Sequence, residues 1–525
     1  MRSLAGLRQY FPAAVLTYAC FASPLIASPP PLEAYGDLPV IEDVSISPSG
    51  KRLAFAGKIR GERRVMVLGE DRKLLGSFPL NDLKFQSIVW GGDELAIARL
   101  RWTQKLGMGY NINKIEMGGA MIIPTNGGKP EWVFARSPSM APIVAGYHGT
   151  RFIDGKWIGY FGGVRYARGG KAEGYYLKHN RAGLFAVDLA ANEPRQAAPT
   201  PPEGHWRDWL VDDKGKVVAT LDRNATGLAG NGSIGFVSLN HDGTAAIYSI
   251  QDEAEERVRW MEVPLAGGEA KEVLADVDIE RVYVDPTNDR LLGYLTEDTQ
   301  RPVLFDAAKQ AILNKVYRAF PGLRASIVEW TPSFSHILVH TSGNGDSGTW
   351  FLVDMAQMKA DPIDYDRPAI LPEHVGPISV VPYTAADGLE MDGILTLPPG
   401  REAKNLPAIM FPHGGPAAHD KAEFDWWAQA FASRGYAVFQ PNFRGSTNRD
   451  LAFVRAGRRV GPQDAKRHFG RAGRVGRGWH SRSQTRLHHG GELWRLCRTG
   501  GRDLAAGALS LRRGRCSGQR HQADV

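Results

Sequence analysis

The stretch that decides the C-terminal fold is Ala408-Ile409-Met410-Phe411-Pro412-His413-Gly414-Gly415-Pro416. Its apolar beginning carries no charge, and this pattern predicts a strand buried on both faces, as inside a parallel sheet. The Gly-Gly-Pro end predicts a turn in which the missing side chains let backbone N–H groups approach a bound atom closely. An ordinary Gly-Pro turn at the end of a strand is the alternative, and this stretch alone does not separate the two.

The residues that follow alternate between helix and strand patterns. Residues 424–432 place apolar side chains at three- and four-residue spacings, which predicts a helix that Ser433-Arg434-Gly435 ends. Residues 436–441 predict the next short strand, and residues 442–447 predict the loop after it. Strand, loop, helix and strand in this order indicate the beginning of a parallel α/β sheet.

Four motifs follow one another in this part of the chain: His413-Gly414-Gly415-Pro416, Phe424-Asp425-Trp426-Trp427, Ser433-Arg434-Gly435-Tyr436-Ala437-Val438 and Asn442-Phe443-Arg444-Gly445-Ser446. In this order they resemble the catalytic domain of prolyl oligopeptidase-family serine peptidases, especially the acylaminoacyl-peptidase and dipeptidyl-peptidase branch. The resemblance implies a partial α/β-hydrolase domain over residues 378–457, beginning with a hairpin. It also implies that the Gly414 and Gly415 N–H groups lie near an oxyanion. By the same resemblance, His413 and Arg444 shape the pocket.

Two positions depart from the family pattern. His419 lies where relatives tend to have Arg, and Asn448-Arg449-Asp450 replaces a Gly-Tyr-Gly-like turn. We expect the second departure to disturb the loop beside the site.

The first 28 residues predict a secretory signal peptide. Arg2 and Arg8 form a basic start, residues 11–16 begin a short apolar segment, and Ala27-Ser28 is a small-residue exit. The apolar segment is too short to span a bilayer as a retained helix. We therefore expect a secreted or periplasmic protein without a stable membrane anchor.

The three cysteines lie near the ends of the chain. Cys20 offers the alternative of a lipid-anchored cysteine, although Tyr18 fits that pattern poorly. No cysteine occurs between Cys20 and Cys497, so no disulfide framework is expected to hold the main body together.

Residues 35–362 predict an all-β domain built from repeated hairpins. Alternating strands joined by turns rich in Pro, Ser, Asp or Gly occur at residues 44–55, 87–98, 209–219, 282–293 and 328–339. Further single strands lie between them, and this repetition is typical of β-propeller blades. Irregular spacing leaves an array of β-sandwiches as the alternative. Trp90, Trp209 and Trp330 are expected to fill the core between blades.

The order of the two regions agrees with the resemblance. Peptidases of this family carry a propeller before the hydrolase domain, and the propeller restricts access to short peptides. The predicted fold is therefore an all-β propeller, a linker at residues 362–377 and the start of an α/β-hydrolase domain. Short peptides are the substrates that the resemblance implies.

The composition changes abruptly near Arg455. From there to the end the chain has about 17 Lys and Arg against about 4 Asp and Glu, out of 64 and 56 in the whole chain. The net charge of +8 therefore belongs to the tail, and the main body is mildly acidic. One hypothesis is a disordered basic tail that binds nucleic acid. We expect no nucleic-acid partner, because an exported chain rarely meets one.

The genetic code offers a sharper hypothesis for this tail. When each codon is read from its second base, residues 488–500 can encode Ile-Met-Gly-Ala-Ser-Tyr-Gly-Gly-Tyr-Ala-Ala-Leu-Ala. That sequence contains a Gly-x-Ser-x-Gly nucleophile elbow. Residues 478–487 and 460–469 permit family-like sequence in the same shifted frame. We therefore predict a frameshift between about Arg455 and Val460, and an out-of-frame, disordered tail over residues 458–525.

A frameshift at this position has a chemical consequence. A serine peptidase needs a Ser Oγ, a His that takes its proton and a carboxylate that holds the His. The Ser codon would be translated out of frame across Glu492 and Leu493, and the sequence ends at Val525 before the Asp and His of the family. No Gly-x-Ser-x-Gly setting surrounds Ser446, Ser481 or Ser483. We assign no catalytic residue, and predict a C-terminally truncated peptidase homologue that is inactive.

Other kinds of site have little support in the sequence. No Gly-rich phosphate loop and no His-Glu-x-x-His run occurs, so we expect neither a cofactor nor a metal. His488-His489 suggests a metal and His413 or His419 suggests a base, but we assign neither role. The alternative function is a non-catalytic β-propeller that binds peptides or partner proteins.

Overall fold

The computed structural model describes residues 28–105, 113–169, 175–176, 179–224, 234–252, 257–275, 277, 279–296, 301–385, 387–414 and 418–457. Residues 1–27 of the predicted signal peptide and the predicted out-of-frame tail, residues 458–525, lie outside this range. Gly415 also lies outside it. Within the described residues the protein consists mostly of β-strands.

Seven antiparallel sheets follow one another between residues 41 and 365 of the described chain, and we call this part the seven-sheet region. Sheet 1 contains β1 (Ile41–Ile46), β2 (Leu53–Ile59), β3 (Glu62–Leu68) and β4 (Leu74–Pro79). Sheet 2 contains β5 (Lys84–Gly91), β6 (Leu95–Lys105), β7 (Lys114–Pro124) and β8 (Glu131–Trp132). The next strands are β9 (Met140–Ile153), β10 (Lys156–Arg165), β11 (Ala167–Arg168), β12 (Tyr175–Tyr176), β13 (Gly183–Asp188) and β14 (Glu193–Ala198). Of these, β11 and β12 form a separate ribbon, and the other four form sheet 3.

The remaining four sheets of this region are built in the same way. Sheet 4 contains β15 (His205–Val211) and β16 (Val217–Asn224). Sheet 5 contains β17 (Ile234–Leu239), β18 (Ala245–Asp252), β19 (Arg257–Pro264) and β20 (Lys271–Val273). Sheet 6 contains β21 (Ile279–Val284), β22 (Leu291–Thr296) and β23 (Pro302–Leu304). Sheet 7 contains β24 (Leu323–Trp330), β25 (His336–Gly343), β26 (Asp346–Asp354) and β27 (Lys359–Tyr365).

All five hairpins predicted from the sequence are present. They are the pairs β1–β2, β5–β6, β15–β16, β21–β22 and β24–β25. In each pair a short turn joins two consecutive strands. The strands therefore pair as an antiparallel hairpin without a crossover connection.

Apolar clusters lie between successive sheets and hold them face to face. Separate clusters join sheet 1 to sheet 2, sheet 2 to sheet 3, sheet 3 to sheet 4, and sheet 4 to sheet 5. Sheets 5 and 6 meet where the Leu239 N–H donates to the Asp289 carbonyl at 2.7 Å. A further cluster joins sheet 6 to sheet 7, and another packs sheet 7 against sheet 1. As expected, Trp90 and Trp209 are buried between sheets, and Trp330 is partly buried.

Helices are few and short among the described residues. They are α1 (Leu32–Gly36), α2 (Ala307–Tyr317), α3 (Trp426–Ala432) and α4 (Leu451–Ala456), with one 3-10 turn at Pro372–His374. None of the helices in the described ranges is long and apolar enough to cross a membrane. Asp425, directly before α3, accepts a hydrogen bond from the Ala428 N–H at 2.7 Å and caps the helix, which begins two residues after its predicted start at Phe424.

The last sheet belongs to residues 378–457, which we call the C-terminal region. Its strands are β28 (Ile378–Thr384), β29 (Glu390–Thr396), β30 (Ala408–Met410) and β31 (Ala437–Asn442), in the order β28-β29-β31-β30. The pair β30–β31 is parallel and α3 connects its two strands, whereas the other pairs are antiparallel. This strand–helix–strand unit is the one that the sequence predicts.

The predicted burial of β30 on both faces is wrong. Ala408 is exposed, and Ile409 and Met410 are only half-buried. Among the described strands, β31 is the single neighbour of β30, so β30 lies at the edge of its sheet. An apolar strand is fully buried only where other elements cover both of its faces.

The seven-sheet region is connected to the C-terminal region at both of its ends. Tyr35, where the predicted propeller begins, lies in α1, which packs against α3. Its ring is fully buried beside Ile370 and Val375 of the connection. The predicted linker begins at residue 362, whereas β27 continues to Tyr365. The N-terminal helix therefore contacts the C-terminal region before the chain enters sheet 1.

Candidate functional site

Two loops lie side by side at the carboxyl ends of the parallel strands β30 and β31. The Asp420 N–H donates to the Asn442 side chain at 2.7 Å, and the Asn442 amide donates back to the Asp420 carbonyl at 3.0 Å. The Thr447 N–H donates to the Ala418 carbonyl at 3.1 Å. Carboxyl ends of neighbouring parallel strands meet at one sheet edge, which is where α/β folds commonly bind ligands. The loops that carry the predicted pocket residues are thus held together.

His413 is fixed between these loops by three contacts. Its ring stacks on Phe443 with the centroids 4.4 Å apart and the planes 12° from parallel. Its Nε2 lies 2.8 Å from the Ser446 hydroxyl, and its Nδ1 lies 2.9 Å from the Gly414 carbonyl oxygen. Burial lowers the pKa of His413, so the ring is neutral near pH 7.

The polar contacts of the neutral ring place its two nitrogens in different settings. The Gly414 carbonyl can only accept, so the Nδ1 contact is a hydrogen bond when Nδ1 carries the hydrogen. The Ser446 hydroxyl donates to the Phe443 carbonyl at 2.6 Å, so Nε2 and that carbonyl compete for its single hydrogen.

A Ser–His contact of this kind resembles a nucleophile beside its base, but three observations give it a structural role. Ser446 is fully buried, so its oxygen cannot reach a substrate. His413 Nδ1 faces a carbonyl oxygen instead of a carboxylate. Ser446 also lacks a Gly-x-Ser-x-Gly setting. The contact ties the loop after β30 to the loop after β31.

The other predicted pocket residues have different surroundings. A Cβ added to Gly414 would meet no atom of the described residues within 4 Å. Arg444 turns toward the β28–β29 hairpin, where its guanidinium lies 2.7 and 2.8 Å from the two Asp387 oxygens. That hydrogen bond lowers the pKa of Asp387. The buried Arg444 Nε–H has no acceptor among the described residues.

The two departures from the family pattern have defined contacts. His419 Nδ1 lies 2.9 Å from the Thr447 hydroxyl, and burial lowers its pKa. The guanidinium of Arg449 lies 3.0 Å from Asp392 on β29, and the Asn448 amide donates to the same carboxylate at 3.3 Å. Asp450 then caps α4. The loop that was expected to be disturbed is instead anchored to β29.

A polar cavity that no sequence pattern predicted lies where the C-terminal region meets sheets 6 and 7. Its volume is about 250 Å³, and its lining residues are His419, Asp420, Lys421, Glu423, Phe424, Asp425 and Gln440. Burial, with a smaller contribution from Asp425, raises the pKa of Asp420 to about 6. Lys421 pairs with Glu280 at 3.1 Å, and Glu423 pairs with Arg324 at 3.0 Å.

No group of three or more His, Cys, Asp or Glu side chains in the described ranges is arranged to hold a metal ion. The predicted donor Gly415 and the candidates Ser481 and Ser483 lie outside the described residues. The described part of the site therefore consists of His413 with its stacking and hydrogen-bond partners, Gly414, and Arg444 in an ion pair with Asp387.

No protein-family model matches the chain, but two curated peptidases are similar in sequence to part of it. The chain is 26% identical over 208 residues to dipeptidyl aminopeptidase BIII of Pseudoxanthomonas mexicana, covering 37% of this chain and 30% of that protein. It is 27% identical over 249 residues to dipeptidyl peptidase family member 6 of Caenorhabditis elegans, covering 42% and 33%. These matches span about a third of the length of the curated relatives.

A solved prolyl endopeptidase structure aligns with a TM-score of 0.47 at 13% identity, covering 82% of this chain and 66% of that one. A puromycin-hydrolysing peptidase from Mycobacterium tuberculosis aligns with a TM-score of 0.45 at 15% identity, covering 82% and 70%.

Proposed function

The chain is a relative of the prolyl oligopeptidase-family peptidases, and from that premise we propose that its lineage hydrolyses short peptides by serine-type acyl transfer. The observation that carries the proposal is the pairing of two motif loops at one sheet edge. His413-Gly414 and the loop containing Arg444 and Ser446 meet there through the His413–Ser446 contact. In this proposal the Gly414 and Gly415 N–H groups stabilise the oxyanion that forms during acyl transfer.

The proposed architecture is a seven-bladed β-propeller over the seven-sheet region, followed by the start of an α/β-hydrolase domain. Successive antiparallel sheets, with sheet 7 packed against sheet 1, support the propeller. The parallel pair β30–β31 with α3 between its strands supports the hydrolase. Residues 1–28 are proposed to direct export to the periplasm or the medium.

We further propose that this polypeptide itself does not turn over peptides. Its sequence contains no Gly-x-Ser-x-Gly elbow, and the Ser446–His413 contact is buried. Oxyanion donors stabilise an acyl-transfer transition state only when an attacking oxygen is present. The proposed frameshift between about codons 455 and 460 accounts for the missing elbow.

The test uses the purified full chain with an aminoacyl-nitroanilide and with a fluorophosphonate probe. We expect no release of nitroaniline above buffer and no covalent labelling, since both need an activated serine. A matched Ser446→Ala variant serves as the control. Labelling that disappears in Ser446→Ala would identify Ser446 as the nucleophile and overturn its structural role. Labelling that persists would reveal another nucleophile and overturn the proposed inactivity.

Resequencing the gene across codons 455–460 tests the frameshift separately. We expect one inserted or deleted base relative to a gene that encodes the nucleophile elbow. An intact gene with the given sequence, together with an ordered C-terminal segment, would contradict the frameshift.

A non-catalytic peptide-binding propeller is the second candidate function. The observation in its favour is that the apolar clusters between the sheets are built from residues of the seven-sheet region alone. This packing therefore needs no catalytic serine. Full-length protein that retains short peptides on a column without cleaving them would favour this function over the first. Failure to retain any peptide would count against it.

A further inference from the structure

No β-ladder joins sheet 1 to sheet 7, and the one backbone–backbone hydrogen bond near this junction among the described residues runs from the Val40 N–H to the Asp366 carbonyl at 2.8 Å. Sheet 1 takes all its strands from residues 41–79 and sheet 7 takes all of its from residues 323–365, so no strand is exchanged between them. Their shared apolar cluster consists of Ile41, Val44, Ile46, Leu53, Phe55, Leu338 and Trp350. Face-to-face packing without a shared strand can separate without breaking a β-ladder.

One carboxyl group crosses this junction. Glu329 on β24 accepts a hydrogen bond from the Ile46 N–H of β1 at 2.9 Å. Beside it, the Trp90 Nε1–H donates to the Ser45 hydroxyl at 3.0 Å, so β1 is held between sheets 7 and 2. Asp43 lies on the same strand β1, three residues before Ile46.

Both carboxyl groups prefer their protonated forms at this place. Burial raises the pKa of Glu329 to about 7, with a smaller contribution from the charge of Asp43, and outweighs the hydrogen bonds from Ile46 and Ser45 that lower it. Burial raises the pKa of Asp43 to about 6. No lysine, arginine or histidine of the described residues contributes to either shift. Other charged or titratable side chains lie on β1 and β24 and on the strands packed against them: Glu42 of β1, Lys58 of β2, Lys84 of β5, Glu280, Arg281 and Tyr283 of β21, Arg324 of β24, and His336 and His340 of β25.

We propose that Glu329 and Asp43 form a pH-sensitive clasp, which holds sheet 1 against sheet 7 when protonated and loosens this junction when both carboxyl groups ionise. The two negative charges then lie in a partly buried junction where no cation of the described residues offsets them. The clasp acts on the fold itself and is independent of the proposed peptidase function.

The sign of the effect follows from proton linkage. Each carboxyl group has a higher pKa in the closed junction than its ordinary value of 4.5 for Glu or 3.8 for Asp. The closed junction therefore binds more protons than the opened one, and its stability falls as pH rises. The stabilisation is complete below about pH 4 and is lost between about pH 4 and pH 7.

The experiment is amide hydrogen exchange on the full chain at pH 5 and pH 8, corrected for the pH dependence of intrinsic exchange. We expect the protection of β1 and β24 to fall at least about tenfold more than that of β6. Glu329→Gln should remove most of this difference, because the Gln oxygen still accepts from Ile46 and carries no charge. Asp43→Asn should remove part of it, and Glu269→Gln, at an exposed turn, should change nothing.

Each other outcome would overturn the clasp. An unchanged pH dependence in both Glu329→Gln and Asp43→Asn would show that these carboxyl groups are not its source. Low protection of β1 at both pH values in Glu329→Gln, with Asp43→Asn like the wild type, would reduce Glu329 to a structural acceptor. An equal loss in β6 would indicate a global effect of pH.

Discussion

The seven-sheet region and the C-terminal region use similar apolar strands with different results. In the first, β6 is paired on both sides and Ile97 is fully buried. In the second, β30 has one described neighbour and Ile409 is only half-buried. The helix beside it leaves Trp426 and Trp427 40% and 44% exposed. Burial is therefore set by how many elements cover a strand, and apolar composition does not guarantee it.

The difference extends to polar groups. The seven-sheet region contains Arg151, which is fully buried and ion-paired with Asp289 at 2.9 Å. In the C-terminal region, the mostly buried Arg444 forms an ion pair with the more exposed Asp387 at 2.7 Å. A buried cation stabilises fully only when each of its donors has a partner, and the Arg444 Nε–H has no acceptor among the described residues. We expect the two regions to respond very differently to comparable substitutions.

The largest expected effect comes from Arg151→Met. This substitution leaves the Asp289 carboxylate buried without its cation, and it also removes hydrogen bonds to the carbonyls of Thr150, Val211, Asp212 and Pro286. We expect a loss of about 3–5 kcal/mol in the free energy of unfolding of the seven-sheet region. Urea unfolding followed by circular dichroism measures it, with the exposed Arg195→Met as the matched control. Equal stability of the two variants would contradict the assigned role of Arg151.

A matched pair of isoleucines tests the comparison directly. Ile97→Ala should cost about 2–5 kcal/mol, because it opens a cavity in a packed core. Ile409→Ala should cost less, about 1–2 kcal/mol, because that side chain is only partly buried at the edge of its sheet. Thermal unfolding of both variants measures the difference. Comparable losses would mean that β30 is covered as completely as β6, and would remove the contrast between the regions.

The smallest expected effect concerns the helix caps. Asp425→Ala removes the bond to the Ala428 N–H and should cost about 1 kcal/mol, whereas Asp425→Asn should cost little because Asn caps equally well. Asp306→Ala removes the equivalent cap of α2 in the seven-sheet region. Hydrogen exchange of α2 and α3 measures both. If each change lowers protection only in its own helix, the regions open independently; a joint loss would show that they unfold together.

Local patterns in the sequence predicted most of the elements. The five hairpins, the helix after Asp425 and the burial of Trp90 and Trp209 all depend on residues close in the chain. The sequence did not reveal the partners of Glu329 or Arg151, because Ile46 is 283 residues from Glu329 and Pro286 is 135 residues from Arg151. Nor did it reveal that Asn448 and Arg449 meet Asp392 on another strand. No periodicity or motif records such long-range pairs.

The sequence by itself determined where strands, turns and caps form and which motifs belong to the peptidase lineage, since these depend on side chains within a few residues of each other. It also determined that no Gly-x-Ser-x-Gly elbow is present. Only the tertiary structure decided that Ser446 is buried against His413, that β30 is a half-exposed edge among the described strands, and that Glu329 reaches across to sheet 1. Burial and partner choice are properties of packing between distant segments, and a linear pattern carries no information on which segments will meet.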